Sequence, residues 1–436
     1  MRYCSVSLDL LKGERVTYNV EARDRAVMVI IDPSDPNIAE WNTEELKELL
    51  SSAGADLAEE IHLRRSHPDP AYYIGQGNAM QVYEVVQDTD ATVVVVGEDL
   101  SPTQQRNLEE TVTVRVIDRT QLILDIFAQR AHTKEGKLQV ELAQLNYLLP
   151  RLSGKGVALS RLGGGIGTRG PGETKLESDR RRLRGRISDV AEELDEVRRH
   201  RNVQKAGRKR LPFPSAALVG YTSAGKSTLL NTLSGSDVYV DQKLFATLDP
   251  TTRRVALPDG WSVLISDTVG FLRDLPHHLV AAFRATLEEV VDADFLIHVV
   301  DASHPHAKDQ QKAVINVLEE LGVANKPVVT VFNKADLIAD QYELRRAVAE
   351  TPNSVYISAK KHQGLPYLMR QISLTIQSLL TRVRMEVPYD RSDLVSLCYD
   401  RGRVLSADYQ SDRIIIDAEI THDLVGKMEE YITERA

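Results

Sequence analysis

GYTSAGKS, residues Gly220–Ser227, is the stretch on which the reading of this chain turns. It fits the pattern G-x-x-x-x-G-K-[ST]. The apolar run SAALV precedes it, and STLLNTLSG follows with helical character. A buried strand, a glycine loop and a helix start form a phosphate cradle, because backbone N–H groups of the loop and the helix end converge on an anion. Gly220, Tyr221, Thr222, Ser223, Ala224 and Gly225 would line that cradle. Lys226 would carry charge to the β and γ phosphates, and the Ser227 hydroxyl would ligate Mg2+.

Downstream motifs follow in the order a guanine nucleotide site needs. DTVG (Asp267, Thr268, Val269, Gly270) closes the strand-like WSVLIS. Its Asp can reach magnesium through water, and the Gly270 N–H can hold a γ-phosphate. NKAD (Asn333, Lys334, Ala335, Asp336) closes PVVTVF. A carboxylate at Asp336 accepts both donors on the guanine N1 and N2 edge, which adenine lacks, so the wrong base leaves a buried charge unpaired. SAK (Ser358, Ala359, Lys360) follows SVYI and can offer the Ala359 N–H to the base oxygen. Each of these short motifs alone is weak, unlike the phosphate loop; four in order, each at a strand end, predict GTP and GDP binding. FATLDPTTRR (Phe245–Arg254) stands where a first switch belongs, with Thr247, Thr251 and Thr252 as candidates for a magnesium-ligating threonine that senses γ-phosphate. Spacing does not choose among them.

Working outward, the 436 residues are too long for one core. Residues 1–125 alternate apolar strands (AVMVII, ADLAEEIHL, TVVVVG, VTVRVID) with helical runs, which predicts a largely parallel sheet covered on both faces. Over 126–209, Leu138, Leu142, Leu145 and Leu149 form one stripe, and Leu176, Leu183, Ile187, Val190, Leu194 and Val197 another. A glycine-rich link joins them, so the segment reads as an antiparallel helical hairpin with coiled-coil packing. Asn202–Lys209 reads as a basic linker. Residues 210–380 hold the nucleotide motifs. Residues 381–436 show strand patterning and then a short helix, a small appended α/β domain without evident chemistry. The fold class is therefore multidomain α/β.

Composition is that of a globular protein, 42% hydrophobic and 27% charged. The N-terminus lacks signal-peptide character, apolar runs are strand-sized, and the two cysteines, Cys4 and Cys398, stand far apart. The expected location is the cytoplasm, with at most peripheral membrane association, and the expected state is a monomer. Net charge is −9, yet Arg151–Arg210 holds 17 Lys and Arg against 8 Asp and Glu. A basic segment in an acidic body predicts one dedicated surface for a polyanion. Arg180, Arg181, Arg182, Arg184 and Arg186 cluster beside the glycine link, whose Gly163, Gly164, Gly165, Gly167 and Arg169 suit close backbone approach to RNA. Within that link GIGTRG (165–170) matches a dinucleotide fingerprint. No convincing strand precedes it, however, and the helix that follows is arginine-rich.

GGGIGTRGPGET, GYTSAGKSTLLN, LFATLDPTTR, DTVGFLRDLPHHLVAAFRATLEE and HVVDASHP, with YYIGQGN and LSPTQQRNLEE, resemble the HflX family of translational GTPases, within the Obg–HflX group. The resemblance spans roughly residues 20–380. It implies Thr247 as the magnesium threonine, with Phe245, Ala246, Leu248 and Asp249 beside it at the nucleotide. It also implies that the hairpin enters the large ribosomal subunit near the peptidyl transferase centre, favoured by GTP, to split or rescue stalled ribosomes under stress. Two positions depart from the family. Ser223 replaces a usual Asn that helps hold potassium in related GTPases, which leaves potassium stimulation without that residue. Lys175 replaces a usual Gln.

Many small GTPases place a Gln after DxxG to orient the attacking water; here Phe271 stands there, which predicts slow intrinsic hydrolysis raised by the ribosome. His277 and His278 read as a solvated pair, and Arg273 and Asp274 stay outside the catalytic set, which is Lys226, Thr247 and Gly270. His62 and His67 lack metal-ligand spacing. Two other functions compete: a regulatory switch acting on a protein, and an RNA-remodelling ATPase, reported for some family members, using YIGQGN (Tyr73–Asn78) as a second phosphate loop without a Walker lysine.

Overall fold

The computed structural model describes residues 23–33, 35–64, 67–152, 171–208, 213–235, 243–273 and 284–435. These form two compact units. One gathers the described parts of Met1–Glu196, Asp241–Asp249 and Leu275–Arg284; the other gathers those of Val197–Val240, Pro250–Asp274 and Ala285–Ala436.

In the first unit, β1 (Arg25–Asp32), α1 (Pro36–Ala53), β2 (Asp56–Arg64), α2 (Gln76–Thr89), β3 (Val93–Val96), α3 (Pro102–Val112) and β4 (Arg115–Asp118) alternate strictly. The strands pair in parallel in the order β2-β1-β3-β4. Local chemistry sets the helix limits. Asp35 caps α1 by accepting from the Asn37 N–H, Pro36 opens it, and Gly54 closes it at φ 82°. Ser101 and Gln104 form a reciprocal capping box on α3. All four valines of β3 are buried, as a central parallel strand requires. Val94 and Val96 join Val27, Val29, Ile61 and Leu108 in one core, where each such side chain contributes about 1.5–3 kcal/mol.

Two helices follow, α4 (Arg119–Arg130) and α5 (Lys134–Arg151). Asp118, fully buried, caps α4 through the Gln121 N–H and also receives the Tyr147 hydroxyl at 2.8 Å and Arg151 Nη2 at 3.0 Å. That network fixes the far end of α5. The helix α6 (Pro171–Arg208) follows, with Leu183, Val190 and Leu194 buried. Arg186 grips Glu141 of α5 by two hydrogen bonds, 2.7 and 3.0 Å, in the pairing a hairpin needs. Residues 202–208, expected as a linker, continue the helix: no proline occurs before Pro212, and Gln, Lys, Ala and Arg there favour helix. The link 163–169 lies outside the described residues.

The second unit opens with β5 (Ser215–Val219) and α7 (Lys226–Ser234), then β6 (Thr251–Ala256), β7 (Ser262–Asp267), α8 (Arg284–Asp292), β8 (Phe295–Asp301), α9 (Ala307–Glu320) and β9 (Val328–Asn333). It continues with α10 (Gln341–Glu350), β10 (Ser354–Tyr356) and α11 (Leu365–Leu379). The sheet order is β10-β9-β8-β5-β7-β6, antiparallel only between β6 and β7. The carboxyl ends of its parallel strands carry the four motifs.

From α11 the chain passes directly into β11 (Leu380–Pro388), then α12 (Ser392–Arg401), β12 (Arg403–Tyr409), β13 (Arg413–Thr421), α13 (His422–Lys427) and β14 (Ile432–Arg435). The order β12-β13-β11-β14 is antiparallel, a ferredoxin-like βαββαβ arrangement. α12 corrects the strand reading of SDLVSLCYDR. Leu394, Val395 and Cys398 share one buried helical face, though Val395 and Tyr399 are strand-favouring types. The other face of the sheet carries cross-strand ion pairs, Arg382–Asp417, Arg413–Glu386 and Arg403–Glu419, in place of the stacking aromatics that single-stranded RNA binders use.

Candidate nucleotide site

The loop between β5 and α7 takes its shape from close packing. Gly220 has φ 155°, and a Cβ there would fall 2.2 Å from the Val299 carbonyl oxygen. Gly225, at φ 95°, faces Asn333, whose Nδ2 would lie 2.4 Å from a Cβ. Both positions need glycine. Ser223 adopts φ 59°, so backbone N–H groups on both sides of it turn toward one concave face.

Lys226 is buried at the start of α7, and its Nζ donates to the Gly220 and Tyr221 carbonyls at 3.1 and 2.9 Å. Burial pushes its amine down to about 8, partly opposed by Asp267. A phosphate would restore the charge that burial disfavours. Beneath it His298 on β8 is pushed down to about 4 by burial, with Lys226 adding to the effect, so it stays neutral. The Ser227 hydroxyl lies 2.6 Å from Asp267 Oδ2 at the end of β7. Thr222 Oγ1 is buried with no hydrogen-bond partner among the described residues.

The segment after β7 is stitched to the loop. Thr222 N–H donates to the Phe271 carbonyl at 2.8 Å, and Phe271 N–H donates to the Gly220 carbonyl at 3.1 Å. The Arg273 N–H donates to the Tyr221 hydroxyl, and Thr268 Oγ1 donates to the Leu218 carbonyl. Val269 and Phe271 are buried. Phe271 therefore belongs to the frame of the loop and cannot position water.

On the opposite side, Asn333 ties two motifs together. Its Nδ2 donates to the Ala224 carbonyl at 2.9 Å, and its Oδ1 accepts from the Ala359 N–H at 3.0 Å. Lys334, at φ 61°, pairs with Asp301 at 2.6 Å. The Ser358 hydroxyl, hydrogen-bonded to Asp336, holds that carboxyl below the usual range, and Lys361 lies 3.6 Å away. Ala335 N–H donates to the Ile357 carbonyl. An ionised carboxylate is thus presented beside the backbone of Ala335 and Ala359, and such a group can accept both donors of a guanine edge, which adenine lacks. Sequence reasoning did not find the roles of Asp301, Lys361 and the two-way Asn333. Asp301 carried one signal, since it ends β8 as Asp267 ends β7.

Of the three switch threonines, Thr251 and Thr252 lie in β6, paired with Asp267 and Ser266 of β7; Thr252 Oγ1 is 2.8 Å from Ser266 Oγ. Thr247 is in the preceding loop. Phe245, Ala246, Thr247, Leu248 and Asp249 pack with the first unit. On α6, Arg180 is half-buried and Arg181, Arg182 and Arg184 are exposed. Arg184 lies 4.0 Å from Glu177, while Arg180, Arg181 and Arg182 form no ion pair with a described residue. His277 and His278 lie outside the described residues. His62 pairs with Asp32 at 2.9 Å, and no described cluster of three His, Cys, Asp or Glu is placed to hold a metal. The YIGQGN segment opens α2, with Gly75 at φ 83°. A cleft of about 870 Å³ in the same unit is lined instead by Asp32, Thr43, Glu44, Lys47, His62 and Arg64 among others, with no residue of that loop.

A phosphate loop, a DxxG turn and an NKxD pocket at the carboxyl edge of one sheet define a P-loop GTPase. Three family descriptions match in succession: "GTP-binding GTPase N-terminal" over residues 40–128, "GTP-binding GTPase Middle Region" over 130–208, and "50S ribosome-binding GTPase" over 215–334. GTPase HflX of Caldanaerobacter subterraneus subsp. tengcongensis is 45% identical over 410 residues, 94% of each chain. That of Escherichia coli is 43% identical over 380 residues, 87% of this chain and 89% of that one. The chain belongs to the HflX family of GTPases, as its motifs implied. Among solved structures, the crystal structure of SsGBP in complex with GDP is 27% identical, covering 81% of this chain and 99% of that one, with a TM-score of 0.48. No described helix is long and apolar enough to cross a membrane.

Proposed function

We propose that this GTPase binds the large ribosomal subunit in its GTP form, acts as a monomer in the cytoplasm, and splits or rescues stalled ribosomes under stress. The observation that carries the reading is the arginine row of α6. Arg181 and Arg182 are exposed and unmatched by described acids, in a chain of net charge −9. Such a row is a phosphate-binding surface, positioning the adjoining Gly163–Arg169 segment for close approach to rRNA. The family description over 215–334, "50S ribosome-binding GTPase", agrees with it.

Within the site, Lys226 and the backbone of Gly220–Gly225 hold the phosphates, Asp336 and the Ala359 N–H read guanine, and the Gly270 N–H holds the γ-phosphate. Ser227 and Asp267, hard oxygen donors 2.6 Å apart, suit Mg2+, and Thr247 is the further ligand in the GTP form. Bound there, the ion supplies charge to the β and γ oxygens. Phe271 leaves water unpositioned, so basal turnover is slow. GTP hydrolysis measured with and without purified large subunits tests the reading. A rise of at least about tenfold is expected of a missing positioning group supplied by a partner. Fast basal turnover, indifferent to subunits, contradicts it.

A further inference from the structure

The segment Leu244–Asp249 is fastened to the first unit at both ends. The Leu244 N–H donates to the Ser52 hydroxyl at 3.0 Å. Phe245, at φ 55°, sets its ring edge against Phe127, centroids 4.5 Å apart. Leu244, Phe245 and Leu248 are buried. At the other end the Asp249 carboxylate accepts from the His132 and Thr133 N–H groups, each at 2.9 Å, and from the Thr133 hydroxyl at 2.5 Å. Thr133 is also the N-cap of α5, accepting from the Gly136 N–H at 3.0 Å. A Cβ on Gly136 would fall 2.5 Å from Asp249 Oδ1, so glycine there makes room for the carboxylate. Asp249 therefore places a negative charge on the positive end of α5, through three charge-assisted bonds.

α5 is the first arm of the hairpin, and its opposite end, Arg151, leads into the glycine-rich link. Pro250 follows Asp249, and β6 begins at Thr251, opposite Asp267. We propose that Asp249, seated on the first turn of α5, is the joint through which the first switch reports the bound nucleotide to the hairpin. The proposal rests on Thr247 as the switch threonine. Thr247 lies two residues before Asp249 with buried Leu248 between them, so an ordering of Thr247 reaches the carboxylate as a pull or a release. An equilibrium at α5 then shifts with nucleotide state, by a coupling commonly about 5- to 150-fold.

The test uses the full chain and changes the α5 side of the joint. Gly136→Ala puts a methyl where the carboxylate sits, while alanine is the better helix former. Thr133→Val removes the hydroxyl, and Thr133→Ser restores it. Amide hydrogen exchange over residues 130–140 is compared with GDP and with a non-hydrolysable GTP analogue bound. The wild type and Thr133→Ser are expected to differ several-fold between nucleotides. Gly136→Ala and Thr133→Val are expected to show no difference, at unchanged GDP affinity; each is compared between its own two nucleotide states, so the stability lost with the cap or the carboxylate bonds cancels. Equal exchange in both states of the wild type overturns the proposal, as does a Gly136→Ala variant that keeps the difference. Co-sedimentation of the wild type with large subunits reports separately: if it ignores nucleotide while α5 exchange responds, the ribosomal reading fails and the joint stands.

Discussion

Gly270 packs so closely on Lys226 that a single methyl group would come 3.0 Å from the Lys226 Nζ, while also lying 2.8 Å from the Thr222 Cα. The backbone proposed to hold the γ-phosphate and the Lys226 amine thus share one wall. Gly270→Ala is expected to lower kcat for GTP by about 10²-fold, the loss of one preorganised donor, while GDP affinity changes only several-fold. Single-turnover hydrolysis beside GDP titration checks the split. Equal losses in both would place Gly270 outside γ-phosphate recognition.

Lys226 gives a pH signature. Its amine lies near 8 in the free protein, against an ordinary 10.5, and phosphate raises it. Binding then takes up a proton above pH 8, so GDP affinity is expected to fall about tenfold per pH unit from there. The lowered value also means that the unfolded chain binds more protons between pH 8 and 10.5. The free protein should therefore gain stability from Lys226 as pH rises through that window, relative to Lys226→Met. Calorimetric titration and denaturant melts of both proteins read the two effects.

The Ser358 hydroxyl and Lys361 keep Asp336 ionised, the state that the proposed guanine recognition needs. Asp336→Asn is expected to reduce GDP affinity by about 10²-fold or more and to favour xanthosine diphosphate, whose C2 oxygen accepts where guanine donates. Competition binding with the two diphosphates measures it; retained guanine preference would move recognition elsewhere.

Phe271 is 2% exposed, and its backbone bonds to both Gly220 and Thr222. Phe271→Gln is therefore expected to destabilise the chain by about 3 kcal/mol and to leave basal hydrolysis slow. Urea melts and steady-state turnover decide. A stable, faster variant would show that this position can position water.

The parallel sheets and the nucleotide motifs were legible because each rests on local pattern: Val93–Val96 as a continuous apolar run, Gly220–Ser227 between strand and helix. Contacts between residues distant in sequence were not. Asn333 could be read as part of NKAD, but its grip on Ala224 and Ala359 depends on which strands become neighbours. Residue type misled at Ser392–Arg401, where β-branched and aromatic side chains sit on a helix held by burial of Leu394 and Cys398. Asp249 was assigned by family likeness alone; no spacing in the sequence could show its carboxylate on α5, 116 residues away from Thr133.

The central claim is that GTP directs this chain, through the arginines of α6, to the large ribosomal subunit. Co-sedimentation with purified large subunits, comparing a GTP analogue with GDP for the wild type and for Arg181→Glu with Arg182→Glu, tests it most directly. The expected result is wild-type binding at least about tenfold tighter with the analogue, and loss of that binding on charge reversal. Binding that ignores the nucleotide, or that survives the reversal, would contradict the account.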